Sequence, residues 1–460
     1  METAGERRQE VLAETLARFL DRGAHANVAN FLGRVRPEDV ASLLGRLTVG
    51  QRLEVFRILL AEFPDAAGEV LTDIDAAQRL ALLEELTLEQ GAELLERIPV
   101  DDAVFVLDSL PGALRDSLLE LVDLRQLSDV QAQLSYPESS AGRLMDTELF
   151  SLAETTSVRE AIEAIQEKRD VEMIFYLYVV DRDGHLVGVT SLRQLLLSKP
   201  DQKLAEIMQK SVIKAHVDTD QEEVARLASR YDLLAVPVVD DQNHLTGIVT
   251  VDDIIDVLKE EATEDLLKMA GTSESELLYE ERTLAVARFR FPSLLLSLAG
   301  LLVTGILLET FQARFAEALF LLAFVPMIMG LSGSVGSQAS TVAVRGLASG
   351  RIGRSGRPIA VFVWRQIRVA FVLGIGCGAL AGVAALVLER NLWLGGVVGL
   401  ALFSAMILAA LVGGLVPAAL SRLGLDPAVA SGPLLAAVND IGGILIYFAL
   451  AWLFLRHLAA

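Results

Sequence analysis

Asp440 stands near the middle of an apolar stretch, residues 427–455, with uncharged residues on both sides. A carboxylate at bilayer depth costs several kcal/mol unless a cation, a partner or a water-filled cavity compensates it, so such an acid marks a functional site. The plainer alternative is a structural Asp, protonated or hydrogen-bonded to a neighbouring helix. A second set of acids, Asp252, Asp253, Asp256, Glu260, Glu261, Glu264 and Asp265, lies within residues 251–269, where Lys259 and Lys268 are the balancing cations. At helical spacing these carboxylates fall on neighbouring faces and repel one another. A hard divalent cation bridging them would relieve the repulsion; a solvated acidic helix face is the competing reading.

The elements that must position Asp440 are apolar runs of roughly 20 residues or more, the length that crosses a hydrocarbon core. Five occur, at residues 291–308, 318–344, 369–388, 392–420 and 427–455. Their internal Gly and Pro are tolerable where neighbouring helices or a cavity satisfy the freed backbone groups. Basic residues near span ends set orientation. Arg282, Arg288 and Arg290 precede the first span. Arg345, Arg351, Arg354, Arg357, Arg365 and Arg368 lie between the second and third, and Arg422 between the fourth and fifth. The opposite loops hold the sparse, mixed set Glu309, Arg314, Glu317, Glu389 and Arg390. The long N-terminal region is therefore expected in the cytoplasm and the C-terminus outside, in an integral protein of the inner (plasma) membrane surrounded by lipid.

An overall composition of 52% hydrophobic and 22% charged residues averages two unlike halves. The net charge of -21 comes from the acid-rich first 280 or so residues, which would repel a phosphate backbone and exclude nucleic acid as a partner. The opening METAGERRQE lacks the apolar core of a secretory signal, so insertion is expected to depend on the later spans. Cys377, alone of its type, allows no intrachain disulfide and no thiolate metal cluster. The five histidines show no metal-ligand spacing. No nucleophile, metal triad or phosphate-binding Gly loop stands out, so the chain is not read as an enzyme.

From about residue 13 to 134 the sequence runs as short amphipathic helices broken at Pro37, Pro64, Pro99 and Pro111. The segments LLGRLTVGQRLEVFRILL, RLALLEELTLEQGAELLERI and DDAVFVLDSLPGALRDSLLELV share the pattern of Leu-rich helix, polar turn, Leu-rich helix. Stacked helix pairs in a superhelical array are expected, with an ordinary helical bundle as the alternative. A clearer repeat follows: VVDRDGHLVGVTSLRQLL from Val179 matches VVDDQNHLTGIVTVDDII from Val238. His185 falls on His244 and Gly188 on Gly247. Each copy reads helix, strand, turn, strand, helix, giving a tandem pair of α/β units.

These copies resemble the CBS domain pair. The second keeps the family's [ST]-x-x-D step as Thr250 to Asp253, whereas the first has Ser191 to Gln194. The family's Asp commonly binds a ribose, so the resemblance permits an adenine nucleotide such as ATP at Thr250 and Asp253. The order of parts, with Pro326, Gly330, GLSGSVGSQ and VRGLASG in the second span and LDPAVASGP and VNDIGGILIYF in the fifth, resembles the MgtE family of magnesium channels and transporters over the whole chain.

That resemblance implies a multidomain protein: an all-α superhelical N-domain (1–135), an α/β tandem CBS pair (136–200 and 201–258), an acidic connecting (plug) helix (251–285) and a five-helix transmembrane domain (286–460). It implies Mg2+ uptake by a homodimer, gated by cytoplasmic Mg2+. Carried over by position, Asp440 is the pore acid for hydrated Mg2+, with the Ala436 carbonyl one turn earlier and Asp426 at the cytoplasmic mouth. Ser334, Gln338 and Asn439 are pore-lining candidates. Asp101, Asp220, Glu222, Asp232, Asp253, Asp256, Glu261, Glu264 and Asp265 form the sensing set, while Phe105 stands where a second N-domain acid is expected. The close helix approach such a pore requires is read from Gly374, Gly378, Gly382, Gly395 and Gly399.

Two departures bear on selectivity. Ser332, Gly333 and Ser334 replace a Gly-Gly-Asn run, and Gly432 replaces an Asn, so amide side chains near the ion's water shell are lost. Two rival readings stay open: a transporter of another divalent cation such as Co2+ or Mn2+, and a non-conducting membrane-anchored CBS sensor.

Overall fold

The computed structural model describes residues 4–122, 124–167, 175–273, 276, 283–314, 319–349, 352, 356–430 and 432–454. Among the charges used for orientation, Arg282, Glu317, Arg351 and Arg354 lie outside the described residues. The chain divides into two compact units, Met1–Glu260 and Glu261–Ala460.

The first unit opens with helices Ala4–Asp21 (α1), His25–Leu32 (α2), Pro37–Leu44 (α3), Val49–Glu62 (α4), Pro64–Asp73 (α5), Ala76–Glu85 (α6), Leu88–Leu95 (α7), Val100–Asp108 (α8), Gly112–Leu119 (α9) and Leu124–Leu134 (α10). The prolines start helices as well as stop them. Pro37 and Pro64 occupy the first turns of α3 and α5, where the missing N–H is no loss, and Pro99 and Pro111 are N-caps of α8 and α9. Thr48 with Gln51 and Thr87 with Gln90 form capping boxes at α4 and α7, so the repeated T-x-x-Q of the sequence is a repeated start signal. α3 packs on α5, α5 on α7 and α7 on α9, while α2 packs on α4 and α4 on α6. Each of these helices therefore packs on its second neighbour, the contact pattern expected of stacked helix pairs. Leu43, Leu44, Phe56, Leu59, Leu71, Leu94 and Leu95 fill its core, and each contributes about 1.5–3 kcal/mol by leaving water.

Two three-stranded sheets follow. Ser151–Ala153 (β1), Tyr176–Val180 (β2) and Leu186–Ser191 (β3) form one; Ala215–His216 (β4), Ala235–Val239 (β5) and Leu245–Thr250 (β6) form the other. In each the first pair is parallel and the second antiparallel, and the bulge falls at the equivalent Val179/Val180 and Val238/Val239. The repeated glycines have one cause: a side chain on Gly188 would collide with Met208, and one on Gly247 with Met145. His185 and His244, from the two turns, stack with ring centroids 4.6 Å apart, each bonded through Nδ1 to its own Asp181 or Asp240. The helices of this part are Ala141–Leu144 (α11), Val158–Glu167 (α12), Leu192–Leu197 (α13), Leu204–Ile207 (α14), Gln221–Tyr231 (α15) and Val251–Ala270 (α16). The last of these begins in the first unit and ends in the second.

Among its described residues, the second unit contains five helices long and apolar enough to cross a membrane: Thr283–Arg314 (α17), Val325–Ala348 (α18, preceded by the 3-10 turn Leu319–Phe324), Gly356–Glu389 (α19), Leu392–Arg422 (α20) and Pro433–Leu453 (α21). α20 is central, packing on α18, α19 and α21, and α17 packs on α21. α17 leaves Leu294, Leu298, Leu301, Leu302 and Ile306 exposed, an apolar surface suited to lipid. Small residues let the backbones close. Gly378 faces Gly399 and Gly382 faces Gly395, and a Cβ on any of the four would meet the opposite carbonyl at 2.7 Å. The glycine stripe expected to serve a pore thus joins α19 to α20 within one chain. The cause is the matching small-xxx-small spacing on both helices.

Candidate cation sites

The first unit gathers carboxylates from three elements. Asp101 and Asp102 open α8, Asp73 ends α5, and Asp252 and Asp253 open α16. Burial and then the neighbouring Asp102 and Asp146 push the Asp101 carboxyl up to about 7. Asp102 is raised to about 6 by burial, Asp253 and Asp73. Asp253 is raised to about 7 by burial and by Asp101, against the opposing hydrogen bond from Thr250. Asp73 is raised by burial, Glu38 and Asp256. Asp101 Oδ1 is buried with no hydrogen-bond partner. A buried, unpartnered carboxylate oxygen among other carboxylates fits a cation. These residues therefore suit the ion that the sequence points to.

The same region carries a fixed cation. Buried Arg79 donates to the carbonyls of Leu71, Thr72 and Ile74, closing the end of α5. Its guanidinium lies 4.6 Å from the centre of the Phe105 ring. Burial lowers its pKa to about 10, so it remains charged at neutral pH beside Asp75, Glu260, Asp102 and Asp73. Phe105 thus supports a cation at the position where an acid was expected.

Among the other sensing candidates, three lie on or at the ends of α15 and have local roles. Asp220 is the N-cap, accepting from the Glu222 N–H at 2.9 Å; Glu222 occupies the first turn; Asp232 closes the helix in the left-handed conformation, φ 52°. Asp256 pairs with Lys259 at 2.6 Å. Asp253 Oδ2 accepts from the Thr250 hydroxyl at 2.5 Å and from the Thr250 N–H at 3.3 Å, so the [ST]-x-x-D step ties down the start of α16.

In the second unit, Lys268 lies 2.6 Å from Glu264 Oε1 and 2.6 Å from Asp426 Oδ2. Asp265, half-buried, is raised by burial and by Asp426. The other Asp426 oxygen accepts from the Ala428 N–H at 2.8 Å. Nearby, a Cβ on Gly432 would meet the Met269 carbonyl at 2.9 Å, and one on Gly271 would meet Ser293 and Pro433 at 3.1 and 3.2 Å. The end of α16 therefore touches the backbone that leads into α21. Glu276, buried, pairs with Arg290 at the start of α17 and accepts from Thr272. In the sequence Lys268 reads only as a balancing charge, although its spacing from Glu264 is that of a helical ion pair.

Along α21, Asp440 is half-buried and Ala436, one turn earlier, is exposed, so both belong to a partly open face. On α18, Ser334 and Gln338 are likewise exposed and one turn apart, and Ser334 Oγ donates to the Gly330 carbonyl at 2.8 Å. Asn439 corrects the expectation of a pore-lining side chain. It is 2% exposed, with neither amide atom hydrogen-bonded, and its Nδ2 occupies the space that a side chain on Gly336 would need. Adjacent helix positions are about 100° apart, so Asp440 on the open face turns Asn439 into the helix seam. Ser332, fully buried, donates to the Ile328 carbonyl within its own helix.

Three family descriptions match: the divalent cation transporter MgtE over residues 325–450, the MgtE intracellular N domain over 35–139, and the CBS domain over 141–200 and 204–260. The magnesium transporter MgtE of Bacillus subtilis is 33% identical over 395 residues, covering 86% of this chain and 87% of that protein. Its counterpart from Thermus thermophilus is 36% identical over 428 residues, covering 86% and 92%. A crystal structure of the cytosolic domain of the Mg2+ channel MgtE in complex with ATP covers 53% of this chain and 99% of that one at 35% identity, with a TM-score of 0.49. With relatives of this identity and coverage, this chain belongs to the MgtE family of magnesium transporters.

Proposed function

We propose that the chain carries Mg2+ into the cell through a homodimeric pore, with its N-terminal domains in the cytoplasm and its C-terminus outside. The observation that supports this best is Asp440: a carboxylate midway along an apolar helix, half-buried on the same face as exposed Ala436. Mg2+ sheds water reluctantly and usually keeps several waters beside one or two carboxylates. Asp440 from each of two protomers would supply two charges to one hydrated ion, with the Ala436 carbonyl toward its water shell. A membrane potential, negative inside, favours entry of a double charge by about 4.6 kcal/mol per 100 mV. Asp426 would gather the ion at the cytoplasmic mouth.

Gating follows from the acids of α8 and α16. With little internal Mg2+, Asp101, Asp102 and Asp253 repel one another and the elements separate; bound Mg2+ draws them together and closes the pore. Such coupling requires the ion to bind the closed state better than the open one. Asp220, Glu222, Asp232, Asp256, Glu261, Glu264 and Asp265 complete the proposed sensing set. At the CBS pair, Thr250 and Asp253 would hold the ribose of an adenine nucleotide, which supplies a second ligand to the same strand–helix junction.

The test is Mg2+ uptake into proteoliposomes by the wild-type chain and by Asp440→Ala, with Co2+ and Mn2+ as competitors. Uptake by the wild type, lost in a folded mutant and resistant to both competitors, is expected. Stronger competition by Co2+ or Mn2+ would shift the reading to another divalent ion. Uptake unaffected by Asp440→Ala would make the carboxylate structural.

A further inference from the structure

The acids at the proposed mouth already hold a cation of their own. Glu264 and Lys268 share one face of α16 at helical spacing, and Asp426 reaches the same ammonium from the segment before α21. Both carboxylates approach Nζ at 2.6 Å, the short separation of a charge-assisted hydrogen bond. Asp265 adds a third carboxylate within electrostatic reach of Lys268 and Asp426. Neither end is loosely placed: α16 fixes Glu264 and Lys268, and the Ala428 N–H fixes Asp426.

We propose that Lys268 is a tethered counter-ion for these acids, standing where a divalent cation would otherwise bridge Glu264 and Asp426, so that such an ion binds there only by displacing the ammonium. The inference rests on the reading of Glu264, Asp265 and Asp426 as cation ligands. One ammonium against three carboxylates leaves excess negative charge, which still attracts a divalent ion. An ammonium is a compact point charge on a flexible stem, so it can leave without moving the backbone. Lys268 thus does two things. It lowers the affinity of the mouth acids for a divalent ion, and it latches α16 to the approach of α21 when none is bound. The Met269 carbonyl, one residue on, meets Gly432 in the same contact.

Mn2+ binding by the full chain in detergent micelles, followed by the EPR signal of free Mn2+, tests this without any need for transport. Lys268→Gln is expected to tighten one class of Mn2+ sites about tenfold, since a unit positive charge is removed from the ligands' side. Lys268→Arg keeps the charge and should stay near wild type, and Lys268→Gln/Asp426→Asn should lose the gain. Wild-type affinity in Lys268→Gln, or a gain that persists in the double variant, overturns the proposal. A second measurement uses the unaltered protein: acetic anhydride should label Lys268 faster once Mn2+ is present, and labelling no faster with Mn2+ also overturns it. If wild-type uptake fails while both binding results hold, the transport reading falls and Lys268 keeps its role.

Discussion

Asp101 at the start of α8 raises the proton affinity of Asp253 at the start of α16, so the helical array and the second CBS copy meet as like charges. In metal-free protein this contact is a standing repulsion above neutral pH. The stability of the first unit therefore depends on protons as well as on apolar packing.

The sign follows from linkage. Asp101 and Asp253 titrate near 7 and Asp102 near 6 when folded, against an ordinary 3.8, so the folded unit binds more protons than the unfolded chain between those values. The stabilisation from proton binding is full below about 4 and is lost as pH rises through about 6 to 7. In chelator, the thermal unfolding midpoint of the first unit's signal is expected to be lower at pH 8 than at pH 5. Added Mg2+ should raise it at pH 8 and do little at pH 5. An equal response to Mg2+ at both pH values would detach the three acids from cation binding.

Gly336 and Asn439 make a second prediction. A Cβ at 336 falls on the Asn439 amide, so Gly336→Ala overpacks the seam of α18 and α21 and should cost about 1–3 kcal/mol. Asn439→Ala vacates the space and removes two unpartnered polar atoms. The double variant should recover most of the loss, as read from the detergent-solubilised melting temperature. Losses that simply add in the double variant would mean the two residues do not share that space.

The α19–α20 contact gives a third. Gly378→Ala sets a methyl against the Gly399 carbonyl, whereas Gly376→Ala, on the same helix, has open space around it. Gly378→Ala should destabilise by about 1–3 kcal/mol, with Gly376→Ala within about 0.5 kcal/mol of wild type. Equal melting temperatures for the two variants would contradict the close approach.

Much of this was legible in the sequence because it is periodic. The apolar runs gave the spans, the matched VVD…HL…G segments gave two sheets of the same topology, and Pro37, Pro64, Pro99 and Pro111 fell at helix starts. Side-chain facing was not legible where two neighbours both carry polar groups. Asn439 and Asp440 differ by one position, and only the packing of α21 on α18 and α20 decides which is turned inward. The glycine stripes of α19 and α20 announced a close partner without saying which helix it was. Phe105 read as a missing acid because its significance lies with Arg79, which comes from another helix. Lys268 was visible as a charge but not as a bridge, since Asp426 belongs to a distant part of the chain.

The reciprocal glycine contacts of α19 and α20 also limit how this membrane domain can rearrange. Each backbone fills the groove of the other at two levels one turn apart, so neither helix can rotate or slide without its carbonyls striking the facing chain. The pair behaves as a single strut, so any rearrangement of these helices must be accommodated at the seams of α17, α18 and α21 instead.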